Sequence, residues 1–253
     1  MRKPFVAGNW KMNTDTHSGV ELARSIAAGS SDIACHNVDV AVIPPFVYSP
    51  AVVQALSSTC VAVGAQDVYC EQKGAFTGEI SPPMLKDVGC NYVLCGHSER
   101  RHVIGEKDGL INKKVAAAVS GGLLPIFCVG ELLEERQASQ TEKVVSRQIK
   151  KGLANLAAEK VSAVTVAYEP VWAIGTGLTA TPQQAQEVHS FIRDLLAKMY
   201  DRRLADDIRI LYGGSVKPDN AAELMAQDDI DGLLVGGASL KADDFLAIIR
   251  AAV

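Results

Sequence analysis

The 253-residue sequence predicts an α/β protein in which strand and helix alternate eight times. Two observations carry this. Short β-rich runs recur at residues 5–7, 38–43, 61–65, 92–95, 123–129, 164–168, 208–212 and 233–235. They are almost continuously apolar rather than alternating, as strands covered on both faces of a parallel sheet are. Between them lie segments with helical period. Eight such units in a chain of this length fit a single (β/α)8 barrel over residues 1–253, with eight parallel strands ringed by helices. A doubly wound open sheet has the same periodicity, and period alone does not separate the two.

The helical segments have their own physical signatures. Val144, Val145, Gln148, Ile149, Leu153 and Leu156 fall on one helical face. Thr181-Pro182-Gln183-Gln184 reads as an N-cap, a proline in the first turn and a glutamine placed to complete a capping box. Val188, Phe191, Ile192, Leu195 and Met199 then form a buried stripe, and Phe245, Ile248 and Ile249 repeat it near the C-terminus.

Composition narrows the function. With 48% hydrophobic and 21% charged residues and a formal net charge of −4, the chain has ordinary globular composition and no basic face for nucleic acid. Its basic pairs, such as Lys113-Lys114 and Lys150-Lys151, read as solvated surface. No apolar run approaches the ~18 residues a membrane span needs, and the first residues do not form a signal-peptide core, so a cytoplasmic location is expected. Cys35, Cys60, Cys70, Cys90, Cys95 and Cys128 lack metal-ligand spacing and are expected as free thiols of a reducing compartment.

Polar residues gather where the strands end. The first run is followed by Asn9-Trp10-Lys11 and the fourth by Gly96-His97-Ser98-Glu99-Arg100-Arg101. The sixth is followed by Glu169-Pro170-Val171-Trp172, the seventh by Gly213-Gly214-Ser215 and the eighth by Gly236-Gly237-Ala238-Ser239. In a barrel these carboxyl ends share one rim, where the sites of such folds lie. Neither a P-loop nor a strand-linked dinucleotide fingerprint is present, so no nucleotide cofactor is expected.

These strings, in this order from residue 5 to the C-terminus, resemble those of the triosephosphate isomerases, whose fold is the TIM barrel. The resemblance implies a homodimeric isomerase of glycolysis and gluconeogenesis. It implies interconversion of dihydroxyacetone phosphate and D-glyceraldehyde 3-phosphate through an enediol(ate), without cofactor or metal. It makes Glu169 the general base, since one carboxylate can take a proton from one carbon and return it to the next. It makes His97 a neutral electrophile whose charged form the following helix start disfavours, and Lys11 the fixed positive charge. Asn9 would orient the substrate oxygens, Glu99 would hold Lys11, and Arg100 would belong to an ion-pair network behind the site. Gly175, Ser215, Gly236 and Gly237 would bind phosphate through close backbone approach. Residues 170–179 would form a lid, with Ile174 and Leu234 clamped over the base to raise its basicity by desolvation. The long irregular stretch 66–81 would enter a second subunit, bringing Thr77 near the partner's Asn9 and the partner's Lys11. Cys128 reads as a packing residue. Val129 replaces the family's usual isoleucine, and Cys95 a frequent branched aliphatic.

Two other readings fit a barrel. A Schiff-base aldolase would need a lysine of lowered pKa at a strand end, for which Lys11 is the candidate. A non-catalytic binding protein would have no need of Lys11, His97 and Glu169 together.

Overall fold

The computed structural model describes residues 2–34, 36–174 and 179–253. Its strands are β1 (Phe5–Asn9), β2 (Asp39–Ile43), β3 (Val61–Ala65), β4 (Tyr92–Cys95), β5 (Leu124–Val129), β6 (Thr165–Tyr168), β7 (Ile210–Tyr212) and β8 (Gly232–Val235). Each pairs in parallel with the next, and β8 returns to β1 with Phe5 opposite Gly232 and Gly8 opposite Val235. That last pairing closes the barrel and excludes the open sheet.

Both faces of the strands are buried, as their apolar character predicts, and alternation divides their side chains into two layers. Phe5, Ala7, Ala41, Ile43, Tyr92, Leu94, Ile126, Cys128, Ala167, Leu211 and Leu234 form one cluster inside the barrel. Their strand neighbours, including Val6, Val40, Val42, Val93, Cys95, Phe127, Val129, Val166 and Tyr168, pack outward against the helices. Ile126 and Phe127 show both layers at adjacent positions, each fully buried, and each burial is worth roughly 1.5–3 kcal/mol.

Helix Pro182–Met199 begins as its sequence predicts. Thr181 accepts the N–H of Gln184, and the Gln184 side chain accepts the N–H of Thr181. Helix Ala242–Ala251 buries Phe245, Ile248 and Ile249. The apolar stripe at 144–156 overruns its helix, which spans Thr141–Gly152. Leu153 caps it and Asn155 takes φ 60°, so Leu156 reaches the core from a turn.

One cluster of buried polar groups lies at the amino-terminal side of β7 and β8. Arg193 is buried, and its five N–H donors are all used. They reach Asp229 Oδ1 (2.5 Å), Asp231 Oδ2 (2.6 Å) and the carbonyls of Ala205 (2.6 Å), Ile208 (3.0 Å) and Asp229 (3.3 Å). Cys70, Cys90, Cys95 and Cys128 are free thiols, as expected. Cys60 is disulfide-bonded, which corrects the free-thiol expectation at that position. It lies exposed in the turn entering β3, where a thiol is open to pairing, unlike the buried Cys90, Cys95 and Cys128. Cys35 lies outside the described residues. Among the described residues no helix is long and apolar enough to cross a membrane.

His189, on the inner face of helix Pro182–Met199, is completely buried. Its Nδ1 lies 3.1 Å from the Asp229 carbonyl, and its ring meets Tyr168 edge-on at 5.9 Å. Burial holds its pKa down at about 4 against the opposite pull of that carbonyl. The unfolded chain, with an imidazole near 6.5, therefore takes up this proton first as pH falls. Stability that is intact above pH ~6.5 declines down to pH ~4 and then levels, by about 3 kcal/mol in all. Urea titrations across this window should show that decline in the native chain and a shallower one in His189→Phe. Equal pH dependences would mean that His189 does not titrate there.

Candidate active site

The carboxyl ends of β1, β4, β6, β7 and β8 surround a cavity of about 710 Å3, whose lining includes Asn9, Lys11, His97, Glu169, Ser215 and Gly236. Strand alternation accounts for two of these. Asn9 continues the inward series Phe5, Ala7, and Glu169 follows inward-facing Ala167 by two. Both are buried.

Lys11 takes a left-handed backbone (φ 52°), a conformation that costs a lysine roughly 1–3 kcal/mol and is found at functional sites. The Asn9 side chain accepts the Lys11 N–H at 3.0 Å, and Gln66 Nε2 donates to the Lys11 carbonyl at 2.6 Å. The ammonium then reaches Glu99 Oε1 at 2.6 Å.

His97 depends on a break in alternation. Leu94 faces inward and Cys95 outward, so continued extension would send residue 97 outward. Gly96 instead adopts φ 74°, where a Cβ would lie 2.9 Å from Ile111 and 3.1 Å from Arg101. The turn delivers His97 Nε2 to within 3.0 Å of Glu169 Oε1. On the other side of the ring, the backbone N–H of Glu99 donates to Nδ1 at 3.3 Å. An acceptor at Nδ1 assigns the proton of the neutral ring to Nε2, where it donates to the carboxylate.

The second Glu169 oxygen accepts the Ser98 N–H at 2.9 Å. Burial pushes the Glu169 pKa up, but His97, the Ser98 N–H and Lys11 together hold it below the usual carboxylate value. Burial likewise works to lower the His97 pKa, yet the adjacent Glu169 carboxylate carries it above the usual imidazole value. This differs from both expectations: a base made more basic by desolvation, and an imidazole whose charged form is disfavoured. The cause is the contact itself, which stabilises the charged form of each partner.

Ser215, Gly236, Gly237, Ile174 and Leu234 line the same cavity. Gly236 lies beneath the Lys11 ammonium, since a Cβ there would be 4.0 Å from Nζ. Gly175 lies outside the described residues, as do residues 176–178 of the expected lid. Arg100 points away from the cavity, to Asp67 (2.9 Å) and Glu106 (2.7 Å). Buried Lys114 joins Asp67 at 2.7 Å and also pairs with Glu106. Stretch 66–81 is irregular, pinned by Gln66 and Asp67 at one end and by the Tyr69 N–H to Ile80 carbonyl bond (2.8 Å), with Thr77 exposed at its tip.

Four features escape the sequence reading. One is the Ser98 N–H. A second is Gly213, where a Cβ would lie 2.9 Å from Glu169 Cγ. The third is the pair of lysines, Lys217 and Lys241, at the cavity mouth. The fourth is Glu131, fully buried and joined to Tyr168 Oη (3.1 Å) and Trp172 Nε1 (2.9 Å), with Arg136 lying over the Trp172 ring. Glu131 had a visible signal, because like the other site residues it is a charge directly following an apolar strand.

Known proteins match this chain in sequence over its full length. The family model for triosephosphate isomerase matches residues 4–252. The triosephosphate isomerase of Carboxydothermus hydrogenoformans is 54% identical over 253 residues, covering 100% of both chains. That of Herpetosiphon aurantiacus is 54% identical over 250 residues, 99% of each chain. That of Rhodopirellula baltica is 52% identical over 253 residues, 99% of this chain and 98% of its own. A closed eightfold barrel with a lysine, a histidine and a glutamate on one rim, matched from end to end at this identity, means that the chain belongs to the triosephosphate isomerase family.

Proposed function

We propose that the chain interconverts dihydroxyacetone phosphate and D-glyceraldehyde 3-phosphate. The observation that carries this is the 3.0 Å approach of His97 Nε2 to Glu169 Oε1 in a cavity that also holds Lys11. Glu169 removes a proton from the carbon beside the carbonyl and delivers it to the neighbouring carbon. His97 donates its Nε2 proton to one substrate oxygen and recovers a proton from the other. Lys11 offsets the charge growing on the enediolate oxygen, and Asn9 holds the oxygens in register. Ser215 and the backbone of Gly236 and Gly237 bind the phosphate, with Gly175 contributing from the lid.

The base is held by two partners. Its two oxygens are engaged by Ser98 and His97, which favour its ionised, weakly basic form. Substrate and the closing lid must draw it onto carbon, and burial under Ile174 and Leu234 then raises its basicity. With the carboxylate gone from Nε2, burial and Lys11 favour neutral His97 against the pull of the Glu99 carboxylate, 3.7 Å from Nδ1. A Schiff-base reading is disfavoured because Lys11 Nζ is ion-paired to Glu99 at 2.6 Å instead of lying in an apolar pocket.

The reading includes one catalytic domain across residues 1–253, a cytoplasmic location and no resident metal or cofactor. It also includes a homodimer in which stretch 66–81 of one protomer enters the other. Exposed Met12 (94%), Val103 (78%) and Val47 (73%) support such an interface, and Met12 and Gly78 line a common groove with Arg100.

Three measurements test these assignments. In a coupled dehydrogenase assay the native chain turns over triose phosphate, and Glu169→Asp, which withdraws the carboxylate by about 1 Å, loses on the order of 10²-fold in kcat. Full turnover in that variant would remove Glu169 as the base. In nitrogen NMR titrations Glu169→Gln lowers the His97 pKa relative to the native chain, since the raising partner is gone and burial remains. An unchanged value would deny the coupling of the two groups. Thr77→Arg should convert a dimer into a 26.9 kDa monomer with reduced activity, as read by light scattering and assay. An active variant of unchanged mass would refute the placement of the loop.

A further inference from the structure

We propose that Gln148 is a positioning residue for Glu169, acting through the backbone of Gly130. The inference rests on the reading of Glu169 as the base. Beyond its last ladder residue, β5 still guides the segment that carries Glu169. The Glu169 N–H donates to the Val129 carbonyl at 2.7 Å, and the Val171 N–H donates to the Glu131 carbonyl at 3.1 Å. Gly130, between those two carbonyls, turns its own N–H and C=O the other way. On that side β4 would normally supply partners. But the β4–β5 ladder ends at Cys95 opposite Phe127, because β4 leaves the barrel at Gly96 to deliver His97.

Side chains take over the missing edge. Arg101 donates to the carbonyls of Gly96 (2.8 Å) and Cys128 (3.0 Å). Gln148, from helix Thr141–Gly152, accepts the Gly130 N–H at 2.7 Å and donates to the Gly130 carbonyl at 2.9 Å. Its amide thereby meets both polar groups of one residue, as the backbone of a neighbouring strand would. Gln148 is only 2% exposed, so no water stands ready to replace it.

Gly130 transmits this grip directly. A Cβ there would sit 1.7 Å from the Glu169 carbonyl oxygen and 2.6 Å from its carbon, so the two backbones are in contact with no side chain between them. Freed from Gln148, the Gly130 peptide must find other partners, and the segment on which Glu169 stands shifts with it.

Gln148→Met keeps length and bulk but removes both hydrogen bonds. Steady-state kinetics should show kcat falling about 10- to 100-fold, with KM within about twofold, because the reacting carboxylate and not the phosphate loops is displaced. Ile149→Val, a buried aliphatic change on the same helix, should lower thermal stability while leaving kcat intact. In a Glu169→Asp background, where the carboxylate is already misplaced, Gln148→Met should cost only a few-fold more. If Gln148→Met keeps full kcat while Glu169→Asp is impaired, the Gln148 inference fails and the base assignment stands. Full turnover in Glu169→Asp overturns the base assignment and with it this inference. Fully additive losses would make Gln148 a general support of the fold and overturn its positioning role. Should Gln148→Met not fold, Gln148→Asn takes the same measurements, since it keeps the amide but withdraws it from Gly130 by one methylene.

Discussion

A parallel strand sends its side chains alternately to opposite faces, and closing eight such strands makes one of those faces an interior that water does not reach. Everything at the site follows from where that interior ends. Phe5 and Ala7 lead to Asn9, and Ala167 leads to Glu169, so the polar residues are the next steps of an inward series that was apolar below them. The barrel core is thus the floor of the cavity. Cys128, completely buried in that floor, is kept as a neutral thiol because burial drives its pKa far up, and its packing role agrees with that chemistry. His97 is the exception to alternation and needs the left-handed Gly96 to reach the same space.

This architecture sets a charge problem that the local geometry answers. A triose phosphate dianion would enter a cavity already holding Glu169, on a chain of net charge −4. One ammonium, Lys11, is fixed there by Glu99, by Asn9 and by a strained backbone, while Lys217 and Lys241 share the outer lining with Asp219 and Asp244. Most of the remaining favourable field must come from backbone N–H groups of the glycine loops, which add partial positive charge without bringing a counter-ion. The Glu169–His97 contact works in the same direction, since the carboxylate is satisfied by a ring and a peptide N–H within the cavity.

Strand positions were legible because burial on both faces leaves an unbroken apolar run, and the boundaries moved by one or two residues, outward where ladder pairing outlasts hydrophobicity, as from Ala7 to Asn9, and inward where the apolar run starts before the ladder, as from Ile208 to Ile210. Barrel closure was not legible, since the β1–β8 pairing leaves no trace in either strand alone. The site strings were legible because a charge directly after a buried strand has few structural uses. Long-range electrostatics was not: the reversal of the expected pKa directions at Glu169 and His97 depends on a contact between residues 72 positions apart in the chain. Gln148 lay in plain view as a glutamine on an otherwise apolar helical stripe. Its partner could be known only once Gly130 was seen facing a strand that had turned away.

The same backbone bonds constrain how the base can move. Glu169 and Val171 are tied to the Val129 and Glu131 carbonyls, and Trp172 is tied by its indole N–H to the buried Glu131 carboxylate, which also holds Tyr168. The chain up to Val171 is therefore part of the barrel rim. With that backbone held, a Glu169 carboxylate that leaves the Ser98 N–H does so by rotating its own side-chain torsions. Such a swing keeps its endpoints only while the backbone origin is fixed to a fraction of an ångström, which is what the close contact with Gly130 provides.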